Sequence, residues 1–376
     1  MRTSVLAACV AVALTAGPLA APALAAPPSA SVRATAGPDA KALCAAIAGL
    51  PDEDAETTAA LVRVGGTDGS WRGSAGVHDL KSGRAADPDA RFRAGSTTKV
   101  VTAAVVLQLV AEGKADLNRP VQHYLPGLLD KRFKPITVRQ LLNHTSGIQP
   151  GDGFADPYAH RFDTLTPQQL VASAVAKGPE FAPGTRQHYL DINYTLLGML
   201  IEKVTGQSYD TEATRRVLRP AGMRHTGFPG TDPRIHGPHN RGYQELVGPD
   251  GTSRLVDVTE WNQASSWAVG DMISTTADLE RLLTTLFRGR IVPGPQLREM
   301  FTVPDIEGAT YSAGLQRFEN EGRVFWAKSG ARYGYSSALA ASRDLSRTLV
   351  YSISDTNAKD YAMNPVAQRI VLAALK

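Results

Sequence analysis

Residues 91–99 read Arg91-Phe92-Arg93-Ala94-Gly95-Ser96-Thr97-Thr98-Lys99, and an apolar run follows from Val100 to Glu112, stopped by Gly113. Ala90 to Arg93 has strand character, and the apolar run reads as a helix. Ser96 therefore stands where a strand hands over to a helix. The i, i+3 spacing puts the Ser96 hydroxyl and the Lys99 amine on one helical face. A serine hydroxyl is a weak nucleophile until a base takes its proton. A lysine in a semi-buried pocket has its charged form disfavoured, so its amine can serve as that base. The helix start adds backbone N–H groups that favour negative charge. Taken alone, S-x-x-K is a short pattern, and a capping Ser96 with Lys99 in water also satisfies it.

Two later pieces carry matching chemistry. Tyr189 follows Phe181-Ala182-Pro183-Gly184 and lies just before a helix, whose apolar stretch Leu196 to Val204 ends at Gly206. A tyrosine beside a lysine can be held as phenolate and act as general base. Lys328-Ser329-Gly330 ends a strand, Val324 to Ala327. Gly330 lets a substrate backbone run close along that strand, and Lys328 and Ser329 can bind an acyl or carboxylate group. Other candidates carry less. Gly237-Pro238 separates His236 from His239, so no helix aligns them and no metal site is expected. No serine lies in G-x-S-x-G, so the nucleophile elbow of another hydrolase class is absent. Trp261 and Trp267 suit a cleft wall and a packed core equally.

Further out, Thr58 to Gly65 and Ser70 to Asp79 read as strands joined by the turn Gly66-Thr67-Asp68-Gly69. Gly322 to Lys328, Ser336 to Ser342 and Thr348 to Asp355 read as antiparallel neighbours, and Met363 to Leu375 as a closing amphipathic helix. Between about 100 and 265 the pattern is helical segments and long loops. Strands at both ends with helices between them predict an α/β fold. One antiparallel sheet, flanked by helices and built from N- and C-terminal parts, would carry an inserted, mostly helical region.

The 376 residues are 43% apolar, 20% charged and 7% aromatic, which suits a folded core. The net charge is +4 without any Lys/Arg block, which excludes a nucleic-acid arm but suits an anionic cell-wall polymer. Met1-Arg2, the apolar stretch Val5 to Ala16, the break at Gly17-Pro18 and Ala23-Leu24-Ala25 together read as a secretory signal peptide over residues 1–26. Cleavage is expected after Ala25 or Ala26. Residues 27–40 read as a flexible lead-in and 41–376 as the single domain that carries Ser96. No later stretch is apolar enough to span a membrane, so a secreted protein without a stable membrane anchor is expected. Cys9 leaves with the signal peptide, and Cys44, in the Ala-rich helical stretch Ala40 to Leu50, is expected to be buried and inert.

With these residues in place, the sequence resembles the serine β-lactamase and penicillin-binding protein superfamily, and most of all its branch of class C β-lactamases and secreted DD-carboxypeptidases. The resemblance runs through residues 91–99, Leu141-Leu142-Asn143-His144-Thr145-Ser146-Gly147-Ile148, Phe181 to Gly206, Gly270 to Leu279, and Lys328-Ser329-Gly330 with the strands after it. It implies a β-lactamase/transpeptidase-like fold. It also implies Ser96 as the acylated nucleophile, Lys99 hydrogen-bonded to it, and Tyr189 passing the proton to the leaving group. Lys328, Ser329 and Gly330 then line the substrate, and the N–H groups of Ser96 and Ala331 form the oxyanion hole. His144 becomes a loop-structuring residue. No cofactor is implied.

Two departures bear on substrate. The family's Tyr-x-Asn is here Tyr189-Leu190-Asp191, so an amide donor is replaced by a carboxylate, which when ionised only accepts. Asp191 can pair with Lys99 and keep it charged, which favours Tyr189 as the base. The family's carboxylate-binding Arg, after a Gly-Leu pair, is here Gln316. Arg317 is one residue on and faces the other side of a strand. The expected function is a secreted acyl-enzyme hydrolase, D-alanyl-D-alanine carboxypeptidase-like on cell-wall peptides. A β-lactamase, or an esterase or acyl-transferring enzyme on a small molecule, are the alternatives.

Overall fold

The computed structural model describes residues 37–375, apart from 249 and 361. The signal-peptide reading falls on residues outside those described. The strands are β1 (Thr57–Gly65), β2 (Trp71–Gly76), β3 (Phe92–Arg93), β4 (Tyr243–Val247), β5 (Ser253–Asp257), β6 (Ile273–Ser274), β7 (Gln316–Asn320), β8 (Arg323–Arg332), β9 (Tyr335–Ser342) and β10 (Thr348–Asp355). The helices that matter for the site are α1 (Ala40–Ile47), α2 (Thr98–Ala111), α3 (Val138–Leu142), α4 (Pro167–Ala176), α5 (Ile192–Thr205), α6 (Thr276–Phe287) and α7 (Pro365–Ala374).

Six strands form one sheet in the order β2-β1-β10-β9-β8-β7, antiparallel throughout. Its centre joins the two ends of the domain, since Ala60 of β1 stands opposite Ile353 of β10. Every residue of β10 is buried, because both faces of the sheet are covered. Leu349, Tyr351 and Ile353 point to the side packed by Leu43 and Ile47 of α1 and Val366 and Ile370 of α7. Val350 points to the larger core shared with α2, α5 and α6. Successive strand residues face opposite sides, so a strand covered on both faces reads as a continuous apolar run.

The helix after Ser96 is apolar on every side, and Val100 to Leu107 are all buried. Such a helix belongs in the middle of a core, and it carries Lys99 there with it. Two sequence expectations change. Cys44 is exposed: α1 buries Leu43, Ala46 and Ile47 at i, i+3 and i+4, and Cys44 lies off that stripe. The region read as helices and loops also holds the β4–β5 hairpin, whose polar, alternating strands carry too weak an apolar signal to be read as strands.

Candidate active site

Three segments converge on one cleft of about 650 Å³, lined by Ser96, Tyr189, Asp191, Lys328, Ser329, Gly330 and Ala331 among others. The first is the turn before α2. Gly95–Thr97 is a short 3-10 turn rather than part of the α-helix. It is pinned by Thr97 Oγ1 donating to Ala94 O at 3.0 Å and Thr98 Oγ1 to Gly95 O at 2.8 Å. Ser337 on β9 also donates to Ala94 O, at 2.9 Å.

The second segment is the end of β8, which touches that turn. A Cβ on Gly330 would lie 2.0 Å from Ala94 O, and one on Gly95, whose φ is +55°, would lie 2.5 Å from Ala331 N. Only glycines allow this approach. It brings the backbone at Ser96 and at Ala331, both lining the cleft, into close approach.

The third segment runs from Tyr189 into α5. Lys99, fully buried, donates to Ser96 Oγ at 3.1 Å, Asp191 Oδ1 at 2.6 Å and Val269 O at 2.8 Å. Burial alone would favour neutral Lys99, but the Asp191 carboxylate, followed by Tyr189, outweighs it and holds its pKa above the usual lysine value. Asp191 is pushed up by loss of solvent and pulled down further by Lys99, so it stays ionised. Its side chain is nevertheless 61% exposed to the cleft. The amine of Lys99 is therefore an ammonium here, not the base that a semi-buried lysine alone suggests.

The Tyr189 hydroxyl is buried and makes no hydrogen bond of good geometry. The ammonium groups of Lys328 and Lys99 lie 4.6 and 5.2 Å from its ring centre. Burial raises the phenol, but the Lys328 and then the Lys99 charges outweigh it, and its pKa falls below the usual value. Lys328 itself is lowered, by burial first and then by Lys99, and it donates to Ser329 O at 2.8 Å. One cleft thus holds a serine hydroxyl and a phenol biased toward phenolate, with the backbone of Ser96 and Ala331 beside them, a set suited to acyl transfer through serine.

Sequence reasoning gave His144 a loop-structuring role but did not place it, or Gln187, behind Tyr189. His144 packs on Tyr189 with the rings tilted and 4.5 Å between their centres, and its Nδ1 faces Leu190 N and Asn193 Nδ2, both at 3.3 Å. Burial, then Lys99 and Lys328, push the imidazole well below its usual pKa, so it stays neutral and can accept those N–H groups. Gln187 accepts from Thr310 N and Tyr311 N and donates to Asn143 O and Tyr311 O. It thereby fixes Tyr311, which stacks on Tyr189 at 4.8 Å. The Asn-His-Thr-Ser-Gly segment was a visible signal for His144, whereas nothing local marks Gln187. Gln316 bonds Thr310, and Arg317 faces Glu319; neither lines the cleft. Trp261 stacks on Tyr333 beside the cleft, and Trp267 packs on Tyr209.

An antiparallel sheet flanked by helices, with a Ser-x-x-Lys turn docked against the end of an inner strand, is the β-lactamase/transpeptidase-like fold of serine hydrolases. The Beta-lactamase family matches residues 22–373, and the chain belongs to it. A D-stereospecific amidohydrolase from Streptomyces sp. superposes with a TM-score of 0.78 at 34% identity, over 90% of this chain and 98% of that one. The D-amino acid amidase from Ochrobactrum anthropi SV3, complexed with L-phenylalanine, shares the fold with a TM-score of 0.74 at 24% identity, over 89% and 98% of the two chains. The Putative penicillin-binding protein PbpX of Bacillus subtilis (strain 168) is 28% identical over 232 residues, 61% of this chain and 54% of that protein. Protein flp of Staphylococcus aureus (strain N315) is 29% identical over 213 residues, 54% and 40% of the two. The match thus spans about half, or less, of the length of these two curated relatives.

Proposed function

We propose that the protein is a secreted serine amidohydrolase that acts on small aminoacyl amides and esters carrying a free α-amino group, with D-configured donors preferred. Tyr189, biased toward phenolate by Lys328 and Lys99, takes the Ser96 proton as Oγ attacks the acyl carbon. The Ser96 and Ala331 N–H groups receive the developing oxyanion. Tyr189 returns the proton to the departing amine or alcohol, and water then releases the acyl group by the same steps in reverse order.

The observation that carries the substrate reading is Asp191. One carboxylate oxygen is engaged by Lys99, and the side chain opens to the cleft. A carboxylate there accepts hydrogen bonds and attracts a cation, which suits an α-ammonium. It cannot donate to the carbonyl of an N-acylated donor, as an amide would. The D preference is supported by the likeness to the Streptomyces amidohydrolase.

Kinetics with D-alanine and D-phenylalanine p-nitroanilides, each free and N-acetylated, test this. We expect the free amines to be favoured by about tenfold or more in kcat/KM, the worth of one charge-assisted hydrogen bond. Equal or better turnover of the N-acetylated forms would remove the proposal. The second reading, a D-alanyl-D-alanine carboxypeptidase or β-lactamase of the class C branch, draws on the likeness to the Bacillus protein. A stable penicillin adduct on Ser96 together with preference for N-acylated donors would favour it.

A further inference from the structure

We propose that Arg332 and Lys359 form a subsite for an anionic group of the substrate, a carboxylate or a phosphate, inside the cleft that holds Ser96. Arg332 directly follows Ala331 on β8, and Lys359 lies in the segment between β10 and α7. Both line the main cleft, and both line an adjoining hollow of about 200 Å³ walled by Phe154, Trp261 and Tyr333. Among the described residues neither forms an ion pair, whereas Lys99 does.

Arg332 gives Nη1 to Ser266 Oγ, and its Nε is buried without a partner. Burial lowers its pKa against the opposing pull of the Asp191, Tyr333 and Asp271 charges, so the guanidinium is short of solvent, and among the described residues no carboxylate pairs with it directly. Although Lys359 is exposed as a residue, its ammonium reaches the cleft 5.5 Å from the centre of the Tyr333 ring, which stacks on Trp261 at 4.1 Å. There loss of solvent, and then the Arg332 charge, lower its pKa.

None of the carboxyl groups nearby forms an ion pair with either cation among the described residues. Asp191 pairs with Lys99 and acts on Arg332 and Lys359 only through space. Asp271 is 2% exposed, and burial pushes its pKa well above the usual carboxylate range, which disfavours its charged form. Asp355 is also raised by burial and accepts from Ser336. Asp360 is exposed and also lines the cleft, and Asp163 at the adjoining hollow pairs with His160. Two adjacent, partly desolvated cations are unfavourable until an anion joins them, and a guanidinium and an ammonium together make strong hydrogen bonds to a carboxylate or phosphate. A neutral amide or simple ester leaves the pair unused. The natural substrate then carries a negative group as well as its scissile bond, either on the acyl side chain or on the leaving group. The role of the anion in turnover rests on the amidohydrolase reading; its binding does not.

Calorimetric titration of the full chain with malonate, at constant ionic strength and on a Ser96→Ala background, tests binding alone. We expect measurable affinity, weakened about tenfold or more by Arg332→Met and again by Lys359→Met. No binding, or the same affinity in all three proteins, overturns the proposal. Lys359→Met alters an exposed position and keeps the test open if Arg332→Met does not fold. A kinetic arm compares D-alanyl esters that are neutral, that bear a carboxylate or phosphate on the alcohol, and D-aspartyl esters that bear a carboxylate on the side chain. The ratio of anionic to neutral kcat/KM should fall about tenfold in either variant for the group the site reads. The same ratio in all proteins for every anionic ester overturns the proposal. If no ester turns over while malonate still binds through both cations, the amidohydrolase reading falls and the subsite stands.

Discussion

Lys99 has three partners and a charge it cannot lose easily, so the reactivity of the cleft is set by Tyr189. The phenol is lowered by two ammonium groups, of which Lys328 contributes more. Activity should therefore rise with pH through a Tyr189 pKa below 10 and fall where Lys328, itself lowered, loses its proton. Removing the Lys328 charge raises the phenol, so Lys328→Met should move the rising limb of kcat/KM to higher pH. A rising limb that stays in place would show that Tyr189 is not the group titrating. Tyr189→Phe should lower kcat/KM by about a hundredfold or more, as loss of a general base does, and abolish that limb. Asp191→Asn exchanges an acceptor for a donor. It should shrink the preference for free over N-acetylated donors by about tenfold, measured as the ratio of their kcat/KM values. An unchanged ratio would mean that the carboxylate does not meet the amino group.

At the scale of elements, the site is a contact between a helix start and a strand end. The Ser-x-x-Lys turn was legible because α2 is a long apolar run with no other reading, and Lys328-Ser329-Gly330 because it follows an apolar strand run, although β8 continues through it to Arg332. Strands β1, β9 and β10 were legible for the same reason: burial on both faces makes them continuous and apolar. The β4–β5 hairpin was not, since its residues alternate without a strong apolar face, and Cys44 was misplaced because an Ala-rich helix shows its buried stripe poorly. Arg332, Lys359 and Gln187 were also not legible. They act through partners far along the chain, and no spacing rule links Gln187 to Thr310 or Arg332 to Lys359. The turn–strand contact itself can be tested. Gly330→Ala would drive a methyl group into Ala94 O, so the turn must retreat and part the two N–H groups. We expect kcat/KM to fall by about a hundredfold, as when one oxyanion donor is lost, with a stability cost of about 1–3 kcal/mol. Full activity in Gly330→Ala would mean that the Ser96 and Ala331 N–H groups are not the oxyanion site.

In the whole molecule, the ends of the domain make the centre of the sheet, and the helical body between them supplies Tyr189 and Asp191. The cleft therefore exists only when β1 and β10 are paired and α7 covers them. Ile370 on α7 is fully buried against that face, far along the chain from any catalytic candidate. Ile370→Ala should cost about 2–5 kcal/mol in denaturant unfolding; a loss under about 0.5 kcal/mol, the range of ordinary surface changes, would mean that α7 is not integral to the core. The central claim, that Ser96 becomes acylated in this cleft, is tested most directly by intact-mass spectrometry after rapid acid quench of turnover with a D-phenylalanine ester, followed by peptide mapping. The expected result is one added phenylalanyl group on the peptide containing Ser96, absent from Ser96→Ala and forming more slowly in Tyr189→Phe. An adduct on another residue, or turnover of Ser96→Ala within about tenfold of the unaltered protein, less than the loss expected on removing a nucleophile, would contradict it.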